Sequence, residues 1–435
     1  MKLALFTILI LATTSIIGTL IPQKNPPEFY IQNFGSKTAQ FFQLLDVPNM
    51  YNSWWFVGLL LLFSINLIVC TIDRLPNVWR MVVMNNLETS PDRLEKMPHR
   101  HVFHSTSSQE ETAIAVSEEL KAQGWNAQSA SLPSAGLLFS QKGAWSRLGV
   151  YAVHLSILFI FAGALIGTFA GFKASVMIPE ESSTNSVYEF GSGKPIPLGF
   201  TVKCDEFSVS YYDDGGTPKE FRSVLTVNDP QENKSFTRAI IVNDPLDYKG
   251  ITFYQSSYEP MQGFKVSIKN KLTNNAQSFQ IPIGKKIGWQ DTNIEFGIIN
   301  QEARSRMGDV NRIKFWFFDG EGSPATFWMD NKSTQTVSTE NGEYEVTASQ
   351  LYATGLQVTK DPGVWTVYFG CILMLVGLYV AFFLSHKRVW VYIEQEASRS
   401  RVLLCGTSSK NKLEFEKDFA ALVDRFTKNK TLQDA

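Results

Sequence analysis

Four stretches of the chain stay apolar for long enough to cross a bilayer, and between the third and fourth the pattern changes to a two-residue alternation. A hydrocarbon core about 30 Å thick takes about 20 mostly apolar residues in a helix, because lipid offers backbone amides no partners. Residues 3–21 and 54–72 carry no charge; the first run ends at Pro22 and the second at Asp73-Arg74. Residues 148–171 contain one side chain of the charged kind, His154, and residues 364–385 contain none. The first run also resembles a secretory signal with Lys2 as its basic flank, but no A-x-A cleavage pattern follows it.

Between the spans the periodicity is that of soluble structure. Phe200–Cys204, Phe207–Tyr211 and Phe264–Ile268 alternate apolar with polar residues, and turn sequences stand at Asp213–Gly216 and Asn341-Gly342. This predicts a large antiparallel β domain over 172–362, sandwich-like in architecture. Within 74–147, residues 109–123 repeat Ala113, Val116 and Leu120 at helical spacing, and short strands are expected near 125–128 and 136–141, a small α+β segment. Residues 410–431 read as a basic amphipathic helix, solvated or facing the membrane. The chain thus divides into residues 1–73 with two spans and a short loop, 74–147, a third span at 148–171, the β domain 172–362, a fourth span at 363–385 and a tail at 386–435.

Charge orients this arrangement. Residues 74–147 hold eight Lys/Arg and the tail ten, whereas residues 22–53 hold two. By the positive-inside rule both basic segments face the cytoplasm. Residues 172–362 carry 19 Lys/Arg against 24 Asp/Glu, and this acidic balance fits export. Both termini are then expected on the cytoplasmic side of the membrane, with the β domain across it on the extracytoplasmic side. The overall balance of 40 Lys+Arg against 41 Asp+Glu leaves no global basic field, which argues against a nucleic-acid partner. Walker, dinucleotide, HExxH and nucleophile-elbow motifs are lacking, so conventional enzyme classes have no support.

The candidate chemistry centres on histidine. His154 lies six residues into the third span, about 9 Å deep at 1.5 Å per residue. An ionisable group at that depth usually faces protein or a cavity. Two readings stay open: a neutral imidazole bonded to a neighbouring helix, or a ligand of haem iron. His386, directly after the fourth span, reads as an interfacial anchor beside Lys387, Arg388 and Trp390, with iron ligation as its weaker alternative. Arg74, Arg147, Lys387 and Arg388 are first of all topology signals, and they would also pair with the carboxylates of a propionate-bearing ligand. His99, His101 and His104 form a His-x-His-x-x-His run that reads as solvated strand or loop ahead of metal binding. The four cysteines show no CxxC pair. Cys204 reads as a small buried thiol, and a thiol relay through Cys70, Cys204 and Cys371 is geometrically poor.

The order and spacing of several short motifs resemble the ResB/CcsB family of System II cytochrome c biogenesis. They are Gly18–Gln23, Trp54-Trp-Phe56, Ile65–Thr71, Arg74-Leu-Pro76, Arg147–His154, Asn243–Leu246, Phe253–Tyr258, Asp361-Pro-Gly363 and Ser385–Trp390. The resemblance implies a subunit of the cytochrome c synthetase that helps move haem across the membrane and present it to the CxxCH of apocytochrome c. It implies a CcsA-type partner bearing the WWD segment. Here Trp55 is followed by Phe56, so the chain resembles the unfused subunit, a non-autonomous part of a haem lyase complex. The resemblance further implies that His154 is a ligand of transient haem b, with the second axial ligand from the partner. The alternative is a membrane scaffold that docks apocytochrome c or a thioredoxin-like reductase, with strands such as Phe253–Tyr258 adding a peptide edge.

Overall fold

The computed structural model describes residues 2–132, 135–212, 217–303, 308–396, 399–428 and 432–434. It divides into two compact units, Met1–Leu165 with Gly363–Ala435, and Ile166–Pro362. The expected turn at residues 213–216 and the end of the C-terminal helix at Thr431 lie outside the described residues.

The chain has four helices long and apolar enough to span a membrane: Lys2–Leu20, Trp54–Val83, Gly149–Ala170 and Val364–Phe383, the third ending within the second unit and the others lying in the first. The second of these differs most from its sequence reading. Its apolar run stops at Ile72, yet the helix continues through Asp73, Arg74 and Pro76 to Val83. Pro76 removes one backbone donor without ending the helix, and the polar residues lie beyond the length a bilayer requires. Two short helices, Pro27–Phe34 and Ser36–Leu44, fill the loop between the first two spans, hinged at Gly35, whose φ of 79° suits glycine.

The third and fourth spans pack glycine to backbone. A Cβ built on Gly149 would stand 2.6 Å from Ala381 N, one on Gly163 2.9 Å from Gly363 O, and one on Gly370 2.9 Å from Ser156 O. In lipid, where apolar burial gives helices no reason to associate, such close backbone approach supplies dispersion contact instead.

A six-stranded antiparallel sheet completes the first unit. Its strands run in the order Gln128–Leu132, Ala135–Lys142, Lys387–Glu396, Arg399–Ser408, His99–Ser105 and Leu432–Asp434. The segment after the fourth span, which reads as a basic tail, therefore supplies two neighbouring inner strands. The C-terminal helix, Lys412–Lys428, leaves its polar face exposed and buries its apolar face on the sheet. Phe415, Phe419, Leu422 and Phe426 stand one helical turn apart and are buried with Phe103, Val116 and Leu120 against one sheet face. Leu94, Leu137, Phe139, Trp390 and Leu403 form a core on the other face.

The second unit is antiparallel β throughout, a ten-stranded and a four-stranded sheet. Two very long strands, Ile251–Asn270 and Gly342–Lys360, pair along most of their length. Their outer halves, with Phe253 and Val358, enter a core with Phe200, Val202 and Leu225. Their other halves, with Phe264 and Val346, enter a second core with Phe296, Phe315 and Phe317 of the smaller sheet. The architecture is two β cores strung on one strand pair.

Candidate functional site

Two helix stripes and one loop enclose a pocket in the first unit. Cys70, Arg74 and Val78 recur every fourth residue along the second span, and Arg147, Val150, Tyr151 and His154 follow helical spacing at the start of the third. Ser146, Ser409 and Lys410 complete the lining. The pocket measures about 450 Å³, within the range of about 300–1,000 Å³ usual for small-molecule sites. Its described lining contains three cationic side chains and no carboxylate, so it favours an anion.

His154 is held by one nitrogen. Its Nδ1 lies 3.0 Å from Thr71 Oγ1 on the second span, and the Tyr151 ring stands edge-on at 6.1 Å between centroids. The reading of an imidazole bonded to a neighbouring helix is thus realised. Its Nε2 has no hydrogen-bond partner among the described residues, and the ring lines the pocket. A metal taken by Nε2 requires the proton on Nδ1, where Thr71 Oγ1 would accept it and fix the ring's orientation.

His386 is placed differently. It is fully buried, its Nδ1 accepts from Arg147 Nε at 2.7 Å, and its Nε2 lies 2.8 Å from Gln141 Oε1. Since Arg147 can only donate, the ring's single proton sits on Nε2 and points to Gln141. Burial, with the charges of Arg147 and Arg388, pushes its pKa down to about 4. Both ring nitrogens are therefore engaged within the protein, and neither is presented to a ligand. Gln141 passes the chain on, donating to Val82 O at the end of the second span at 3.0 Å.

Of the four basic candidates, Arg74 and Arg147 line the pocket and the other two do not. Lys387 is paired with Asp418 at 2.6 Å and Glu414 at 3.0 Å on the C-terminal helix, and Arg388 lies over the Trp390 ring at 5.3 Å. Lys410, Ser409 and Thr71 carry no signal as partners of His154 in the sequence; they are brought to it by the sheet and by the long second helix. Lys410 Nζ donates to Ala381 O at the end of the fourth span.

The remaining candidates separate. His99 and His101 share one face of their strand, with His99 against Phe415 and His101 against Phe103, while His104 points to the opposite face. No group of three metal-ligating side chains occurs among the described residues. Cys204 is buried, with its thiol pushed up to about 12 mainly by desolvation, which makes it inert. Phe253 pairs with strands on both sides, whereas Tyr254, Gln255, Ser257 and Tyr258 pair along one side among the described residues, with a register shift at Ser256.

Four bilayer-length helices joined to a large antiparallel β region define a membrane protein. A profile of the ResB-like family matches residues 1–347 and 321–420, and the chain belongs to that family. It is 29% identical over 440 residues to the cytochrome c biogenesis protein CcsB of Gloeobacter violaceus, covering 97% of this chain and 89% of that one. It is 27% identical over 456 residues to CcsB of Trichormus variabilis, covering 98% and 91%. The cytochrome c biogenesis protein Ccs1 of Porphyra purpurea is 26% identical over 449 residues, with 98% and 95% covered.

Proposed function

We propose that this chain acts in cytochrome c biogenesis as a subunit of the System II synthetase, taking haem b as cargo in the pocket around His154. The near full-length similarity to proteins named for that process supports the process. The observation that carries the site is an imidazole whose Nε2 has no described partner, lining a cationic pocket at the end of a membrane helix. Haem presents an iron that prefers imidazole, an apolar ring and two carboxylates. The donor set fits each part: His154 for the metal, Val78, Val150 and Tyr151 for the ring, and Arg74, Arg147 and Lys410 for the carboxylates.

In this reading the protein's contribution is to bind and orient. Thr71 fixes the His154 ring, the cations hold the carboxylate end toward the cytoplasm, and the apolar walls exclude water. The bound haem supplies the vinyl groups that bond to the CxxCH thiols of apocytochrome c. That chemistry would take place in a complex with a CcsA-type membrane subunit, which would contribute a further ligand to the iron. Both termini lie in the cytoplasm and residues 172–362 outside the bacterial inner membrane, as the basic residues of 74–147 and of the C-terminal segment support. The test is His154→Ala in the full-length chain purified with its partner. We expect the Soret absorbance of the co-purified haem to fall at least tenfold and mature cytochrome c to be lost. Wild-type haem content in the variant refutes the assignment.

A second reading, a scaffold docking apocytochrome c or a thioredoxin-like reductase, draws on the one-sided pairing of Tyr254–Tyr258, an edge a peptide strand can extend. Substituting Pro for Ser256 would block that edge. Undiminished capture of apocytochrome c by this variant in membranes would reject docking there.

A further inference from the structure

We propose that His386 is a positioning residue, which aims the Arg147 guanidinium at a carboxylate of the ligand in the His154 pocket. This rests on the haem reading above and gives it a selectivity element. Arg147 uses Nε on His386, and its two terminal nitrogens have no hydrogen-bond partner among the described residues. Arg147 lines the pocket, seven residues and about two turns before His154 on the same helical stripe. A guanidinium fixed at Nε presents the fork of its remaining N–H groups in a set plane, the geometry that grips a carboxylate through two parallel hydrogen bonds.

The acceptor that fixes it is itself built in at three places. His386 Nε2 faces Gln141, whose amide reaches Val82 O of the second span. The His386 backbone exchanges bonds with Ser409, its N–H donating to Ser409 Oγ at 3.0 Å and its carbonyl accepting from Ser409 N at 3.0 Å. Ser385, one residue earlier, lies against Gly143, where a Cβ would come 2.4 Å from the Ser385 carbonyl oxygen; φ of 67° there also suits glycine. Gln141, Gly143 and Arg147 lead into the third span, and His386 leads out of the fourth. An imidazole so held has little freedom, and it passes that constraint to Arg147. A salt bridge would fix the arginine as well but would cancel its charge. A neutral imidazole orients it and leaves the positive charge for the ligand.

The experiment compares ferric haem with its dimethyl ester, which keeps the iron and ring but lacks the carboxylates. Each is titrated into the full-length chain with its membrane partner, stripped of haem. We expect wild type to bind the dicarboxylate at least tenfold more tightly than the diester. His386→Leu should lose most of that difference while binding the diester as wild type does. His386→Asn, whose Oδ1 reaches the place of Nδ1, should restore it. In a double-mutant cycle, Arg147→Gln added to His386→Leu should cost nothing further. Equal weakening of both ligands by His386→Leu, or additive losses in the cycle, overturns the positioning role and leaves haem binding standing. A wild-type complex that binds neither porphyrin overturns the haem reading and this one together.

Discussion

The two histidines at the ends of the third and fourth spans show how partners, and not residue type, decide a role. His154 keeps one nitrogen for the pocket, while His386 has both committed. That commitment has a consequence for stability. The folded chain keeps the His386 ring neutral down to about pH 4, against an ordinary value of 6.5 in the unfolded chain. As pH falls from 7 the unfolded chain takes the proton first, so stability present above 6.5 is withdrawn between 6.5 and 4, by up to about 3 kcal/mol. Thermal melts of the full-length chain in detergent at pH 7 and pH 4.5 should show this, with a smaller drop for His386→Asn. Equal drops in the two proteins would mean that His386 does not titrate this way. His154 was legible in the sequence because it is the one side chain of the charged kind in the 24 residues 148–171. Thr71, Ser409 and Lys410 were not, since each is an ordinary residue until the fold sets it beside the pocket.

At the scale of elements, what was legible is what has a period and one exposed face. The 109–122 helix and the alternating strands of residues 172–362 meet that condition, and the four spans are legible instead by the length of their uncharged apolar runs. The strands Lys387–Glu396 and Arg399–Ser408 have neither signal: each contains five consecutive buried residues, because the sheet is covered on both faces, and the alternation disappears. Lys387 and Arg388 at the start of that run read instead as headgroup anchors. The packing of the third and fourth spans rests on Gly163 and as much on Gly370 and Gly377, which meet Ser156, Ile160 and Val153 at close range. Gly370→Leu should force the helices apart and cost at least about 1–3 kcal/mol, seen as a lower melting temperature and less folded protein in membranes. Cys371→Leu, at the exposed neighbouring position, should leave both unchanged. Equal tolerance of the two would mean the spans are not held by this contact.

Across the whole molecule, the chain separates two kinds of folding. Residues 172–362 contain both of their own cores, so the β unit has what it needs between the third and fourth long apolar helices. The other unit is assembled from sequence that lies on either side of it. Strands His99–Ser105 and Ala135–Lys142 do not pair with each other; they are joined through the two strands that follow the fourth span. A chain ending at Ser385 would therefore leave Phe103, Leu137 and Leu138 without their covering strands, and would remove Ser409 and Lys410 from the pocket. Burial of a single large apolar side chain contributes about 1.5–3 kcal/mol, so losing several such seats removes a large share of the roughly 5–15 kcal/mol that holds a domain folded. In membranes carrying the truncated chain, limited proteolysis should cut within residues 99–142 while 172–360 stays intact, and co-purified haem should disappear. Protection of 99–142 in that chain would show that the six-stranded sheet folds without its C-terminal strands, and the pocket would then owe its shape to the helices alone.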